Sequence, residues 1–253
     1  MTVSTLQPCD VLEWDSDFWK LRVARVRGEV LTPELARQID GWCRQHAVCC
    51  LYFLARSDDV ETVRLAEDGG YRFVDIRVTL RRTVESALDG GQRFAGTVRD
   101  ARADDLVELR SIARAGYRDS RFYADPRFPP DRCDALYETW ITRSGEGYAD
   151  RVLVAEVDGH PAGYVSCHVA PTTHEGTIGL VGVASWAQGQ GAGSRLVMDA
   201  LRWFNSREVR DVSVVTQGRN VAAQRLYQRG GFLTDSVQLW YHKWYLESGV
   251  SYR

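Results

Sequence analysis

Apolar residues along this chain fall into two kinds of run. Some are short and either continuous or alternating, bounded by polar turns, which predicts strands. Others repeat every three to four residues over longer spans, which predicts amphipathic helices. Cys49 to Ala55 is apolar throughout and reads as a buried strand. Tyr71 to Arg82 reads as another, with Ile76, Val78 and Leu80 alternating. Between them Ser57-Asp58 can cap a helix that closes at Gly69-Gly70. Upstream, Thr32-Pro33-Glu34 opens a helix to about His46, with Thr32 placed to cap and Pro33 in the first turn. Residues 9–30 read as extended. Together these form a βαβαβ unit.

The polar stretch from Thr83 to Arg93 contains Gly90-Gly91 and predicts a domain boundary, dividing the chain into 1–90 and 91–253. Beyond it the pattern restarts. Phe94 to Asp100 predicts a strand and Asp104 to Gly116 a helix. A loop from Tyr117 to Arg132 precedes a further helix that runs through Ser144. Arg151 to Val157 and Pro161 to Val169 predict a hairpin turning at Asp158-Gly159. Thr177 to Val183 is the next strand. A helix from about Gly191 to Arg207 follows, with Leu196, Val197, Ala200, Leu201 and Phe204 as its apolar stripe. Asp211 to Thr216 predicts a strand, Asn220 to Arg229 a helix, and two strands close the chain around Phe232 and Leu239. The fold class is α/β (α+β), with a smaller N-terminal domain and a larger C-terminal one.

Charge narrows the partners. The 253 residues carry 32 basic and 34 acidic side chains, a net charge of −2. That excludes the basic excess of a general nucleic-acid or anionic-membrane binder. The start, MTVSTLQPCD, has neither a basic leader nor an apolar core. The longest apolar run, Ala47 to Ala55, is too short to cross a bilayer. A cytoplasmic location with no membrane partner is expected. The six cysteines form no C-x-x-C pair, so reduced, mostly buried thiols and no metal are expected.

The stretch Ala184 to Leu196, ASWAQGQGAGSRL, places glycines at 189, 191 and 193 where a helix begins. Glycine costs a helix about 1 kcal/mol relative to alanine. Bare backbone at a helix N-terminus exposes unpaired N–H groups and partial positive charge, which suits a phosphate or pyrophosphate. The segment is not a P-loop, because Gly193-Ser194-Arg195 lacks the lysine. Nor is it a dinucleotide fingerprint: Ser194 stands where a third glycine belongs, and Asp211 begins the next strand rather than ending it. Taken alone, the cluster also fits a ligand-free turn.

Gln188-Gly-Gln-Gly191-Ala-Gly193 resembles the Q/R-x-x-G-x-G/A signature of the GNAT superfamily of acyl-CoA N-acyltransferases, and it follows Val183 at the spacing of that family. Asn220-Val-Ala-Ala223-Gln-Arg-Leu226-Tyr227-Gln-Arg-Gly-Gly231-Phe232 resembles the second signature, N-x-x-A-x-x-L-Y-x-x-x-G-F. The resemblance covers about residues 94–246 and implies a mixed, centrally splayed sheet flanked by helices. It implies acetyl-CoA as co-substrate. Its pyrophosphate would be held by the backbone of Gln188, Gly189, Gln190, Gly191, Ala192, Gly193 and Ser194. Its pantetheine arm would lie along Val181, Gly182 and Val183, with Asn220, Ala223 and Tyr227 also in contact. By the same resemblance Tyr227 protonates the leaving thiolate; periodicity alone favours a core tyrosine. For the base, Glu175, His174 and His168 lie at or before the coenzyme strand, and each also reads as an ordinary surface residue.

The loop from Tyr117 to Arg132 interleaves Arg118, Arg121, Arg127 and Arg132 with Tyr117, Phe122, Tyr123 and Phe128. Arginine forks suit phosphates, and aromatic faces suit a base or sugar. LEWDSDFW (Leu12 to Trp19), SRFYADPRF (Ser120 to Phe128) and LYETWI (Leu136 to Ile141) resemble the two-domain bacterial TDP-fucosamine N-acetyltransferases and their relatives. That resemblance implies acetyl transfer to the amine of a dTDP-linked amino-deoxysugar, with Arg121, Tyr123 and Asp125 on the acceptor side. Another amine (an aminoglycoside, an amino acid or a protein N-terminus) and a non-catalytic acyl-CoA-binding protein stay open. Trp14 to Trp19 and Trp240 to Trp244 serve either packing or an interface, such as that of a homodimer.

Overall fold

The computed structural model describes residues 7–84 and 94–245. The Gly90-Gly91 boundary lies outside the described residues. The chain divides into two compact units. The first takes residues 7–77 together with Arg121–Phe128 and residues 237–245; the second takes the rest. A cut at residue 90 therefore does not separate them, because two later segments belong to the first unit.

In the first unit β1 (Cys9–Val11) pairs antiparallel with β2 (Val23–Val26), which runs parallel to β3 (Cys50–Arg56). The end of β10 (Leu233–Trp244) lies antiparallel on β3, from Gln238 opposite Arg56 to Trp244 opposite Cys50. Side chains alternate accordingly. Leu51 and Phe53 of β3 and Tyr241 of β10 enter a core with Ile39, Trp42 and Cys43 of α2 (Pro33–Gln45). The Thr32 hydroxyl accepts from Leu35 N at 3.1 Å, as predicted for a cap. The helix α3 (Val60–Asp68) is capped by Asp59, one residue after the expected Ser57-Asp58, and Asp59 accepts from Thr62 N at 2.8 Å.

Residues 9–30 are not wholly extended. A seven-residue helix, α1 (Glu13–Trp19), interrupts them and ends on Lys20 in the left-handed region, φ 58°. Acidic Glu13 and Asp15 in its first turn favour a helix start. The stretch expected to be a loop also holds a short helix, α5 (Arg121–Ala124). It is tied down because Phe122 and Phe128 bury against Trp19, with ring centroids 5.3 and 4.4 Å away. Its anchor is Asp125, fully buried, whose Oδ2 accepts from His242 Nδ1 at 2.8 Å and Trp244 Nε1 at 2.9 Å. Burial pushes the His242 imidazole down to about 4, against the pull of Asp125. Burial also opposes the Asp125 charge, yet the donated bonds hold its carboxyl below the usual range. Asp125→Ala leaves the buried His242 donor and the half-buried Trp244 donor unpaired, together with the Arg127 N–H, and an unpaired buried donor costs about 1–3 kcal/mol. A loss of about 3 kcal/mol is expected, read as a lower midpoint of urea unfolding.

In the second unit the sheet order is β4-β9-β8-β7-β6-β5. Here β4 is Arg72–Thr83, whose first half lies in the first unit, β5 is Thr97–Asp100 and β6 is Arg151–Val157. β7 is His160–Val169, β8 is Gly176–Val183 and β9 is Asp211–Gln217. Strands β5 to β8 are antiparallel neighbours, whereas β8 and β9 are parallel, so the sheet is mixed. Asp158 (φ 50°) and Gly159 (φ 81°) make the predicted tight turn between β6 and β7. The helices are α4 (Leu106–Ala115), α6 (Pro130–Arg143), α7 (Ala192–Ser206) and α8 (Val221–Arg229). All five residues of the predicted α7 stripe are at most 1% exposed. Where two closing strands are expected, one strand, β10, runs unbroken past Leu239.

Candidate active site

The site begins where β8 and β9 part. Their parallel register runs from Gly176 opposite Val212 only to Ile178 opposite Val214. Strand β7 stays with β8 to its end, with Gly163 opposite Val183. A register shift lies between Val165 and Cys167, and there the buried Ser166 hydroxyl accepts from Leu180 N at 2.8 Å. From Gly179 to Val183 the edge turned toward β9 has no strand partner among the described residues. Such an edge can pair with an extended ligand.

At the head of α7, Gly189 (φ 75°) and Gly191 (φ 89°) occupy the left-handed region, which explains glycine at both positions. A Cβ on Gly193 meets Leu226 and Val183 only at ordinary contact distance, so its neighbours do not demand glycine there. The first turn of α7 has no side-chain cap and no acidic residue. Other helices are served by a capping Thr32, Asp59 or Asn220, or by first-turn acids such as Glu108 and Asp131. Among the described helices longer than four residues, α7 alone has neither. Its N–H groups open into a cleft of about 410 Å³.

The same cleft is lined by Val181, Gly182 and Val183 of β8, by Gln188 to Ser194 except Gln190, and by Asn220, Ala223 and Tyr227. Asn220 caps α8 by accepting from Ala223 N at 3.0 Å. Tyr227 is 5% exposed, its ring edge-on to Phe232. Its hydroxyl has no hydrogen-bond partner among the described residues, and burial pushes the phenol well above its ordinary value. It therefore stays protonated at neutral pH. Ile112, Gly116 and Tyr117 supply the α4 side of the cleft. Tyr117 sits at φ 57°, stacks on Tyr137 at 4.4 Å and shares a 3.1 Å hydroxyl contact with Tyr164.

This geometry pairs an anion-seeking helix terminus with an open strand edge and a free phenol. The profile described as the acetyltransferase (GNAT) family matches residues 108–232, which hold all three. The chain carries a GNAT acetyltransferase domain. It is 28% identical over 238 residues to the dTDP-fucosamine acetyltransferase of Escherichia coli O6:H1, covering 92% of this chain and 96% of that one. It is 26% identical over 140 residues to the spore coat polysaccharide biosynthesis protein SpsD of Bacillus subtilis, covering 55% of this chain and 48% of that one. Among solved structures, a GCN5-related N-acetyltransferase from Sphaerobacter thermophilus matches with a TM-score of 0.67 at 22% identity, over 93% of this chain and 76% of that one. The GNAT chain is an acetyl-CoA-dependent N-acetyltransferase. Acetyl-CoA supplies the activated acetyl group when bound, and the bare α7 terminus and open β8 edge are chemically suited to its diphosphate and amide-bearing arm.

Twelve of the thirteen coenzyme residues expected from the sequence of this GNAT chain line the one cleft. Gln190 does not; its amide donates to Trp186 O at 2.7 Å. Glu175, the expected base, does not line the cleft. It precedes β8, and at about 3.3 Å per residue it lies roughly 20 Å of strand from Val181. Its carboxylate pairs with Arg81 at 3.1 Å instead. His174 contacts Arg207 O at 3.0 Å, and His168, pushed down by burial, stands edge-on to Tyr148. None of the three lines the cleft. Arg121, Tyr123 and Asp125 belong to the first unit, and Asp125 is occupied in holding His242 and Trp244. Sequence reasoning did not single out Tyr164. Its signal is Gly182 opposite it on β8, where a Cβ would lie 2.7 Å from the Tyr164 ring.

Proposed function

We propose that this enzyme transfers acetyl from acetyl-CoA to the amine of a dTDP-linked amino-deoxysugar. The likeness to dTDP-fucosamine acetyltransferase carries this reading, because it spans nearly the whole of both chains and so takes in both units. In this reading the backbone N–H groups from Gly189 to Ser194 hold the coenzyme diphosphate. The free edge from Gly179 to Val183 pairs with its amides and fixes the thioester by the end of β8. Tyr227 holds a proton at its phenol oxygen and gives it to the sulfur as the C–S bond breaks and the acceptor nitrogen takes the acetyl carbon; the nitrogen releases its own proton to water, which returns one to Tyr227. A phenol kept neutral by burial and free of other hydrogen bonds suits that task.

The test follows acetyl-CoA consumption as free thiol release, with and without a panel of dTDP-amino-deoxysugars. Release above background that depends on one such sugar is the expected result. Release that appears instead with aminoglycosides, amino acids or peptides overturns the acceptor class. Acetyl-CoA binding without turnover on any amine overturns the enzymatic reading.

A further inference from the structure

The first unit holds two half-buried arginines, Arg77 and Arg121, that form no ion pair among the described residues. Arg121 of α5 lies over three aromatic rings, its Cζ 4.5 Å from the centroid of Tyr52, 4.4 Å from Phe122 and 4.1 Å from Trp240. Arg77 is on β4, the strand next to β10 and its Trp240, at the first-unit end of that strand, where the Arg121 charge reaches it. Burial and this repulsion both lower Arg77. The Nε atoms of both side chains are buried and bond nothing. Among the described residues neither guanidinium makes a hydrogen bond or an ion pair. The Tyr52 hydroxyl beneath Arg121 is likewise buried and without a partner, in a residue 1% exposed.

Nearby carboxylates act on this charge only from a distance, Asp15 on Arg121 and Glu29 on Arg77, and among the described residues neither pairs with a guanidinium. Asp15 is pushed up by its own burial and forms no ion pair. Glu29 accepts from the Gln238 amide. Elsewhere in the chain Arg99 pairs with Asp105 and Glu156, and Arg151 with Asp100. Aromatic faces stabilise a guanidinium from above and below but leave its N–H fork unused in its own plane. Two adjacent unused forks present up to ten donors to an anion that brings several oxygens and more than one charge. A lone carboxylate or chloride would leave most of them idle.

We propose that Arg77 and Arg121 form a diphosphate-binding site within the first unit, with Tyr52 supplying a further hydroxyl contact. For the identity of the ligand, a nucleoside diphosphate, this rests on the function proposed above; for its charge it rests on the arginines alone. Neither Arg77 nor Arg121 lines the cleft at α7.

The experiment is calorimetric titration of the full chain with dTDP, inorganic pyrophosphate, thymidine and coenzyme A. dTDP and pyrophosphate bind, thymidine does not, and raising the salt concentration weakens both bound ligands. Tighter binding of dTDP than of pyrophosphate assigns a nucleotide; equal or tighter binding of pyrophosphate assigns a free diphosphate. Arg77→Gln and Arg121→Gln each weaken dTDP at least tenfold and leave coenzyme A affinity unchanged. Because Arg121 also packs between rings, Arg77→Gln is the sharper variant. It removes one of two repelling cations, so the ligand-free protein melts no lower than wild type while the dTDP-induced rise in Tm shrinks. A merely structural arginine would lower the first and leave the second. Wild-type dTDP affinity in both variants, or no binding of either diphosphate at millimolar concentration, overturns the site. Turnover on an amino sugar without a nucleotide overturns the acceptor reading and leaves this test standing.

Discussion

Gly191→Glu is expected to weaken acetyl-CoA binding by roughly a hundredfold in a protein that still folds. Residue 191 is the N-cap of α7, at φ 89°. A side chain in that left-handed conformation costs about 1–2 kcal/mol. Against this, each buried member of the α7 stripe contributes about 1.5–3 kcal/mol, and a carboxylate at a helix N-terminus returns about 0.3–1 kcal/mol through the dipole. Folding therefore survives. Binding weakens, because the carboxylate takes the donors the diphosphate needs and repels it. A loss of about 3 kcal/mol, roughly a hundredfold in Kd, is expected by calorimetry, with an unchanged circular dichroism spectrum. Gly191→Ala separates the two causes. It carries the same backbone strain without the charge, so it should retain most of the affinity. If alanine and glutamate weaken binding equally, the effect is one of loop geometry, and the anion cradle at α7 is wrong.

What the sequence revealed and what it concealed divide along one physical line. The α7 stripe, the Thr32 and Asn220 caps and the Asp158-Gly159 turn are local devices, and each is visible in a few adjacent residues. The cleft was legible for the same reason: Gly189, Gly191 and the Asn220 to Tyr227 helix lie in two short segments that meet at the end of β8. Tertiary contacts were not legible. Helix α1 and the short α5 hold their shape through Trp19, Phe122 and Phe128, brought together from positions about a hundred residues apart. The position of Asp125 depends on two residues of the last strand. Nothing in SRFYADPRF says that its aspartate will be buried against a histidine. Glu175 differs again: it adjoins β8 along the chain, and a strand of eight residues is long enough to separate it from the strand's far end.

Tyr227→Phe is expected to lower kcat by at least tenfold, within the roughly 10²–10⁴-fold that a positioned acid contributes, with acetyl-CoA affinity unchanged. Phenylalanine keeps the ring, and with it the edge-on contact to Phe232 and the burial of α8. The lost hydroxyl bonded no described residue, so its removal strands no partner. The loss should therefore fall on the chemical step, as a fall in the single-turnover rate. Tyr117 is the competing donor, since it lines the same cleft. Its hydroxyl, however, is engaged with Tyr164 at 3.1 Å, and its ring is clamped on Tyr137. Tyr117→Phe should accordingly change kcat by less than Tyr227→Phe does. If the order is reversed, the proton reaches sulfur through the Tyr117–Tyr164 pair. If neither variant slows single turnover, the thiolate leaves without a tyrosine acid, and the free phenol of Tyr227 serves only to pack α8 against the cleft.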